Sequence, residues 1–406
     1  MTTTIDITEL NEMEVEEDET ETTKTAVTAP APIIPLYNFQ RSEPFVEPTS
    51  LMVSTATLLC TKEVYPPDIS VEHMKQLIYA DRQLPHRYWN RKNYHPMQDA
   101  VLFVAEGHSY YIYGSSQNVI SLTKFISCFF TGFNATKESE RMINSKSHAT
   151  RVNQPSYKYY NCLCVEDIQA KWDEARDLGT EFHRNIELFL NGIPFEQQTI
   201  HPENKVCVEQ FLKIYEDKKF WDWDIFWTEQ PLCYPPALLA GSPDIILQNK
   251  SNPKLLSIID LKRCDNIDYT SFWNVTHGYG PCGHITNNKI NTYGIQQSGL
   301  KWMLQQYGYQ VEHMFLLNVH PKHKKGRIYV VQDFCKEFTE MIRYREQLLD
   351  EHHIRRPLHV MGYYDHTGDN GEANSIMRHD NLMTIPSHST PEVINSAELN
   401  ETVLIL

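Results

Sequence analysis

No stretch of this 406-residue chain approaches the roughly 20 consecutive apolar residues of a membrane-spanning helix. The opening, Met1-Thr-Thr-Thr followed by acids, lacks the basic and apolar regions of a secretory signal. Cysteine is sparse: nine residues, an odd number thinly spread, point to reduced thiols in an intracellular protein rather than to a disulfide framework. That places it in a cytoplasm or nucleus, an infected host cell's included. The closest cysteine pair, Cys162-Leu163-Cys164, falls short of clustered C-x-x-C groups, so no iron–sulfur cluster is expected. Gly-rich phosphate loops of nucleotide-driven motors are missing, and no segment repeats. A membrane partner is not expected, while 41% hydrophobic and 11% aromatic residues suffice for a sizeable core.

Positive charge is also in deficit, and a net charge of −15 would ordinarily argue against a nucleic-acid partner. The acids, however, gather at the ends. Residues 1–30 carry nine acids against Lys24, a net of −8; residues 365–406 carry seven against Arg378, a net of −6; residues 31–364 are left with −1. A near-neutral body can present a basic groove, because the local field rather than the sum steers a polyanion. Residues 1–48, rich in Thr, Glu and Pro, cannot bury enough apolar surface to offset ordering entropy. They read as a disordered acidic arm, a candidate contact for a single-strand-annealing or replication partner. Residues 365–406 read as a second polar acidic tail, also disordered.

Between the tails, residues 49–165 read as N-terminal additions, a short hairpin plus a helix, and 166–353 as the core. Strand-like runs at 101–106 and 110–113 precede Ser121, an N-cap residue for a helix over 122–130. A longer helix over 166–190 stops at Asn191-Gly192, and another covers 205–218. Strands are expected at 225–233, 242–248 and 255–261. After a connection of about 30 residues come a helix near 293–306, strands at 314–319 and 327–331, and a helix over 334–351. This order predicts a mixed α/β core with helical and tail additions.

Two of these strands carry carboxylates among apolar residues: Gly241-Ser-Pro-Asp244-Ile-Ile-Leu and Leu255-Leu-Ser-Ile-Ile-Asp260-Leu261-Lys262. Residues i and i+2 of a strand share a face, so Asp260 and Lys262 project together while Leu261 enters the core. Neighbouring carboxylates repel unless a cation joins them, and hard oxygen ligands suit Mg²⁺, with Mn²⁺ as substitute. A lysine beside them can polarise a water or stabilise charge on a phosphate. The same residues also allow a plain turn and an edge salt bridge. On the long helix, Gly179, His183 and Glu187 recur at i, i+4 and i+8, which suits close packing beside a metal site. Gln296 and Gln297 open a later helix and offer an amide to a water or phosphate.

In this order the residues resemble the PD-(D/E)XK nuclease superfamily, in particular its RecB-type, lambda-exonuclease-like branch found in phages and large DNA viruses. The matching pieces are Gly179-Thr-Glu-Phe-His183 with Glu187, Glu229, Ala240-Gly-Ser-Pro-Asp244, Asp260-Leu-Lys262, the Gln296 helix and Leu316-Leu-Asn-Val-His320-Pro. The resemblance covers roughly residues 100–350. It implies a restriction-endonuclease-like core, a mixed central sheet flanked by helices, and Mg²⁺-dependent hydrolysis of DNA in replication, recombination or repair. By position it makes His183, Asp244, Asp260 and the carbonyl of Leu261 metal ligands, with Asp244, Asp260, Lys262 and Gln296 catalytic. Glu187 and Glu229 would support the site from behind or serve the structure. Leu300 stands where a tyrosine is often found.

The connection over 263–291 leaves the strand carrying Lys262 and returns at the glutamine helix, a natural place for a DNA guide. Phe272, Trp273 and Tyr279 offer faces for base stacking, and Arg263 and Lys289 can meet phosphates. Its position, with the resemblance, points to an exonuclease working from DNA ends. The rival readings are an RNA-degrading nuclease of the same fold and a nucleic-acid-binding protein that retains the fold without cutting. Cys282 and His284, with His277, have poor zinc spacing and are not expected to bind it.

Overall fold

The structure, a computed structural model, describes residues 69–216, 223–267, 276–354 and 356. The acidic arm, the tail beyond residue 356, Phe272 and Trp273 lie outside the described residues. The described elements are α1 (Val71–Arg82), α2 (Tyr88–Lys92), β1 (Val101–Val104), β2 (Ser109–Ile112), β3 (Ile120–Ser121), α3 (Leu122–Ser127), α4 (Ala135–Ile143), α5 (Lys146–Arg151) and α6 (Val165–Leu190). They continue with α7 (Lys205–Tyr215), β4 (Trp223–Thr228), β5 (Leu232–Tyr234), β6 (Leu239–Gly241), β7 (Ile245–Asn249), β8 (Leu255–Arg263), α8 (Lys289–Gln306), β9 (Gln310–Val319), β10 (Arg327–Val330) and α9 (Cys335–Glu351). No described helix is long and apolar enough to cross a membrane.

The expected mixed α/β class holds. A five-stranded sheet runs β10-β9-β8-β7-β4, with β8 and β9 parallel and the other pairs antiparallel. The parallel pair needs a crossover, and α8 lies on it, between β8 and β9 in the chain. The two-residue period of the strands sorts side chains onto two cores. Leu256, Ile258, Met314 and Leu316 pack with Leu300, Met303 and Phe338 of α8 and α9. Ile259, Leu261, Phe315 and Leu317 pack with Phe182 and Ile186 of α6 and Phe211 of α7. Each such fully buried side chain contributes about 1.5–3 kcal/mol relative to exposure. Asp260 and Lys262 alternate with Leu261 and so share the face of Ile258, toward α8.

Three expectations need revision. The run 225–233 is two strands, not one: the chain leaves β4 at Glu229, whose φ of 46° breaks the extended conformation, and β5 then joins β6 and β3 in a separate three-stranded sheet. Residues 69–165 hold five helices rather than one. Their starts are local caps, Ser70 on His73, Asn134 on Lys137 and Ser145 on His148, and most are too short to show an apolar period. Gly179 is not a close-packing glycine, since a Cβ there would meet nothing within 4 Å. The glycine that α8 does need is Gly299, where a Cβ would stand 2.7 Å from Leu122 Cδ1 and from Phe338 Cε2.

Candidate metal centre

Strand register puts three carboxylates in a row. Thr228 of β4 pairs with Ile245 of β7, and Ile245 with Ile259 of β8. One step further, Glu229 just past β4, Asp244 just before β7 and Asp260 within β8 stand side by side. The Glu229 N–H donates to the Asp244 carbonyl at 3.0 Å, which continues the ladder for one rung. The left-handed backbone at Glu229 costs about 1 kcal/mol. It swings the chain out of the sheet just where the carboxylate is needed.

α6 brings His183 to this row. Its Nδ1 lies 3.4 Å from Asp244 Oδ1 and 3.7 Å from Glu229 Oε1. One ligand atom each from His183, Glu229 and Asp244 all fall within 4.8 Å of one another. The second Asp244 oxygen accepts the Leu261 N–H at 2.6 Å, which fixes the carboxylate on the end of β8. Beside it, Lys262 Nζ sits 2.5 Å from Asp260 Oδ2 and 4.6 Å from the centre of the Tyr293 ring of α8.

The electrostatics follow from this crowding. Burial opposes charge on His183, but the Asp244 and Glu229 carboxylates outweigh it and raise the imidazole to about 10. Burial and the Asp244 charge push Glu229 up to about 7. Burial likewise lifts Asp260 to about 6, with Lys262 pulling against the rise and Asp244 adding to it. Burial disfavours the charge of Asp244 itself, yet His183, Lys262 and the Leu261 N–H hold it below the usual carboxylate range. Lys262, also desolvated, is pushed above its ordinary value by Asp260 and Asp244, so it is an ammonium at any working pH. The cluster thus holds its negative charge against an imidazolium and an ammonium, and a divalent cation would have to displace the His183 proton to take the place of the imidazolium.

The remaining candidates fall in different places. Glu187 is buried between Arg87, at 2.8 Å, and Arg184, at 2.7 Å, behind the cluster rather than in it. Glu229 stands within the cluster rather than behind it. Gln297 is buried, and its Nε2 donates to the Phe315 carbonyl at 2.7 Å, tying α8 to β9. Gln296 is half-buried and lies three residues from Tyr293, on the same side of the helix. Arg263 is turned inward: its side chain is 5% exposed, and Nε donates to Asn204 Oδ1 at 2.6 Å. That removes it as a surface phosphate contact, because the buried carboxamide binds the guanidinium first. Lys289 is exposed and reaches the Asn266 carbonyl at 3.3 Å. Tyr279 packs against the core, its hydroxyl 2.6 Å from Thr131 Oγ1. Cys282 is buried against Met341 Sδ at 3.6 Å, and His284 faces Glu337.

Two contributors had no motif. Arg87 donates from Nε to Asp81, from Nη1 to Glu187, and at 3.3 Å to the Glu229 carbonyl. It therefore clamps the left-handed residue to α6. Asn90 of α2 supplies an amide that pairs both ways with the Thr228 backbone, at 2.8 and 2.9 Å, in place of a neighbouring strand. Neither position carries a sequence signal, because both act through contacts more than 90 residues away. Tyr293 could have been found, since it shares a helix face with Gln296.

No family model matches the chain, and no curated protein does. A solved structure, the "Putative exonuclease" of Eubacterium rectale, is 14% identical, covering 54% of this chain and 85% of its own, with a TM-score of 0.29. A likeness so slight decides neither fold nor chemistry, which rest on the geometry above.

Proposed function

We propose that this chain is a Mg²⁺-dependent deoxyribonuclease, hydrolysing phosphodiester bonds and acting as an exonuclease in DNA replication, recombination or repair. The observation that carries the reading is the row Glu229, Asp244 and Asp260, met by His183 on one side and by Lys262 on the other. The donor set fits a divalent cation: clustered carboxylate oxygens plus one imidazole nitrogen, already held near one another by register and by the Leu261 N–H. Asp244 and Glu229 would hold the ion, with His183 as nitrogen ligand and Asp260 on the adjoining strand. When bound, such an ion supplies Lewis acidity to the scissile phosphate and lowers the pKa of a water.

The chain's own residues do the rest. Lys262, kept charged by Asp260, offers an ammonium to the negative charge that grows on the phosphoryl oxygens, and is no general base. Tyr293 flanks that ammonium and limits where it can point. Gln296, three residues on from Tyr293 along the helix, is the side chain we assign to orienting a water or a backbone phosphate.

The test uses end-labelled linear DNA with Mg²⁺ and purified protein. Asp260→Asn should lower cleavage by at least about a thousandfold, since a charge aimed at the reacting centre is worth several kcal/mol, while the circular dichroism spectrum stays native. Chelation should abolish cleavage reversibly. Normal turnover by folded Asp260→Asn, or by chelator-treated enzyme, would sink the reading. Matched RNA and DNA strands in the same assay separate the DNA reading from the RNA-degrading alternative.

A further inference from the structure

We propose a second metal site, selective for Zn²⁺ over Mg²⁺, formed by Asp265, His320 and His323, where the chain leaves β8 and β9. Ligand atoms from these three residues lie within 4.8 Å of one another. Asp265 follows β8, and the two histidines flank the turn His320-Pro-Lys-His323 that follows β9. Parallel pairing of β8 and β9 as far as Arg263 with Val319 brings the two ends together.

One of the two imidazoles has a ring nitrogen with no hydrogen-bond partner. His323 Nε2 lies 2.6 Å from the Asp265 carbonyl, which can only accept, so Nε2 is the donor and Nδ1 is the nitrogen left to a ligand. That Nδ1 is buried with no hydrogen-bond partner. A backbone carbonyl on the far nitrogen is the arrangement that orients a histidine toward a metal. His320 Nδ1 lies 3.8 Å from Asp265 Oδ1 and accepts the Lys322 N–H at 3.3 Å, a contact that an ion would have to displace.

The turn is held ready from behind. Gln210 of α7, itself buried, donates to the carbonyls of His320 and His323 at 3.1 and 2.7 Å and accepts the His320 N–H at 3.0 Å. Two imidazoles and one carboxylate, leaving a coordination position for water, is a ligand set typical of Zn²⁺ and too nitrogen-rich for Mg²⁺. Lys322 Nζ sits 2.7 Å from Asp265 Oδ2 and stands as a local competitor for the carboxylate. A bound ion would cross-link the β9–β10 connection to the chain three residues beyond Lys262. The site shares no residue with the proposed catalytic cluster, so either can fail alone.

The experiment is calorimetric titration of chelator-stripped full-length protein with Zn²⁺, repeated in excess Mg²⁺. Wild type and His183→Ala should both keep a Zn²⁺ site that Mg²⁺ does not displace. His323→Gln and Asp265→Asn should weaken it by at least about tenfold, and Lys322→Ala should tighten it, a gain that misfolding cannot mimic. Thermal melting should show Zn²⁺ stabilising the wild type and not His323→Gln. Equal Zn²⁺ affinity in wild type, His323→Gln and Lys322→Ala, or loss of all Zn²⁺ binding in His183→Ala, would overturn the proposal.

Discussion

At the scale of single residues, the carboxylates of the cluster keep His183 an imidazolium. His183 is raised from 6.5 to about 10 by its carboxylate neighbours, so its favourable charge is fully present below about pH 6.5 and is lost as pH rises through about 10. Glu229 and Asp260, raised to about 7 and about 6, hold protons more tightly folded than unfolded. Their contribution is greatest at acid pH and is lost as pH rises through those values. The three shifts act in one direction. Metal-free protein should therefore lose thermal stability between about pH 5 and about pH 9, and Mg²⁺ should restore more of it at the upper end, where His183 gives up its proton more readily. Glu229→Gln removes one of the repelling charges and should flatten the profile and stabilise the metal-free form at pH 8 by on the order of 1 kcal/mol. Melting curves across pH, with and without Mg²⁺, measure this. A melting temperature that climbs over the same range in chelator would contradict the assigned cluster.

At the scale of elements, the site depends on how the first helices brace the edge of the sheet. β4 is the edge strand, and its last residues are held by Asn90 and Arg87 instead of by another strand. Arg87 joins the end of α1 through Asp81, the last turn of α6 through Glu187, and the turn at Glu229. Arg87→Ala would leave the buried Glu187 with Arg184 alone and free the Glu229 carbonyl. The expected cost is on the order of 2 kcal/mol, less than for a fully orphaned buried ion because Arg184 remains. Under the proposed function, the same variant should raise the Mg²⁺ concentration needed for half-maximal cleavage, since Glu229 and His183 would no longer be held in register. Urea unfolding and a Mg²⁺ titration of activity test the two effects. A variant with unchanged Mg²⁺ requirement would leave Arg87 a purely structural brace.

For the whole molecule, the charge distribution and the placement of the cluster bear on substrate. The acidic segments lie at the two ends of the chain, and the near-neutral body carries the candidate site where β4 ends and β7 begins, beside Asp260 of β8. If the protein works from DNA ends, closed circular duplex should resist it and a single cut should restore degradation. The assay compares loss of supercoiled, nicked and linear forms of one plasmid in Mg²⁺. Rapid cutting of intact circles would show an endonuclease and end the end-guiding role given to the 263–291 connection.

The strands β7 to β10, the long helix ending at Asn191-Gly192, and the pairing of Asp260 with Lys262 were legible in the sequence, because hydrophobic period and local caps are written within a few residues of the positions they control. The cluster itself was half legible: Asp244, Asp260, Lys262 and His183 stood out as polar residues in apolar or helical runs. Glu229 was singled out only for a supporting or structural place, and only the antiparallel register of β4 on β7 shows that it lies opposite Asp244. Arg87, Asn90 and the Asp265, His320 and His323 group were invisible for the same reason. Their partners are brought together by sheet pairing and helix packing across long separations, which local pattern does not encode. Arg263 makes the converse point: a strand-end arginine looks like a phosphate contact, and only the packing of the Asn204 turn against β8 buries it. Sequence by itself determined the elements and the chemical types available; tertiary structure decided which of those groups meet, because distance in space, not along the chain, sets hydrogen bonding, charge coupling and ligation.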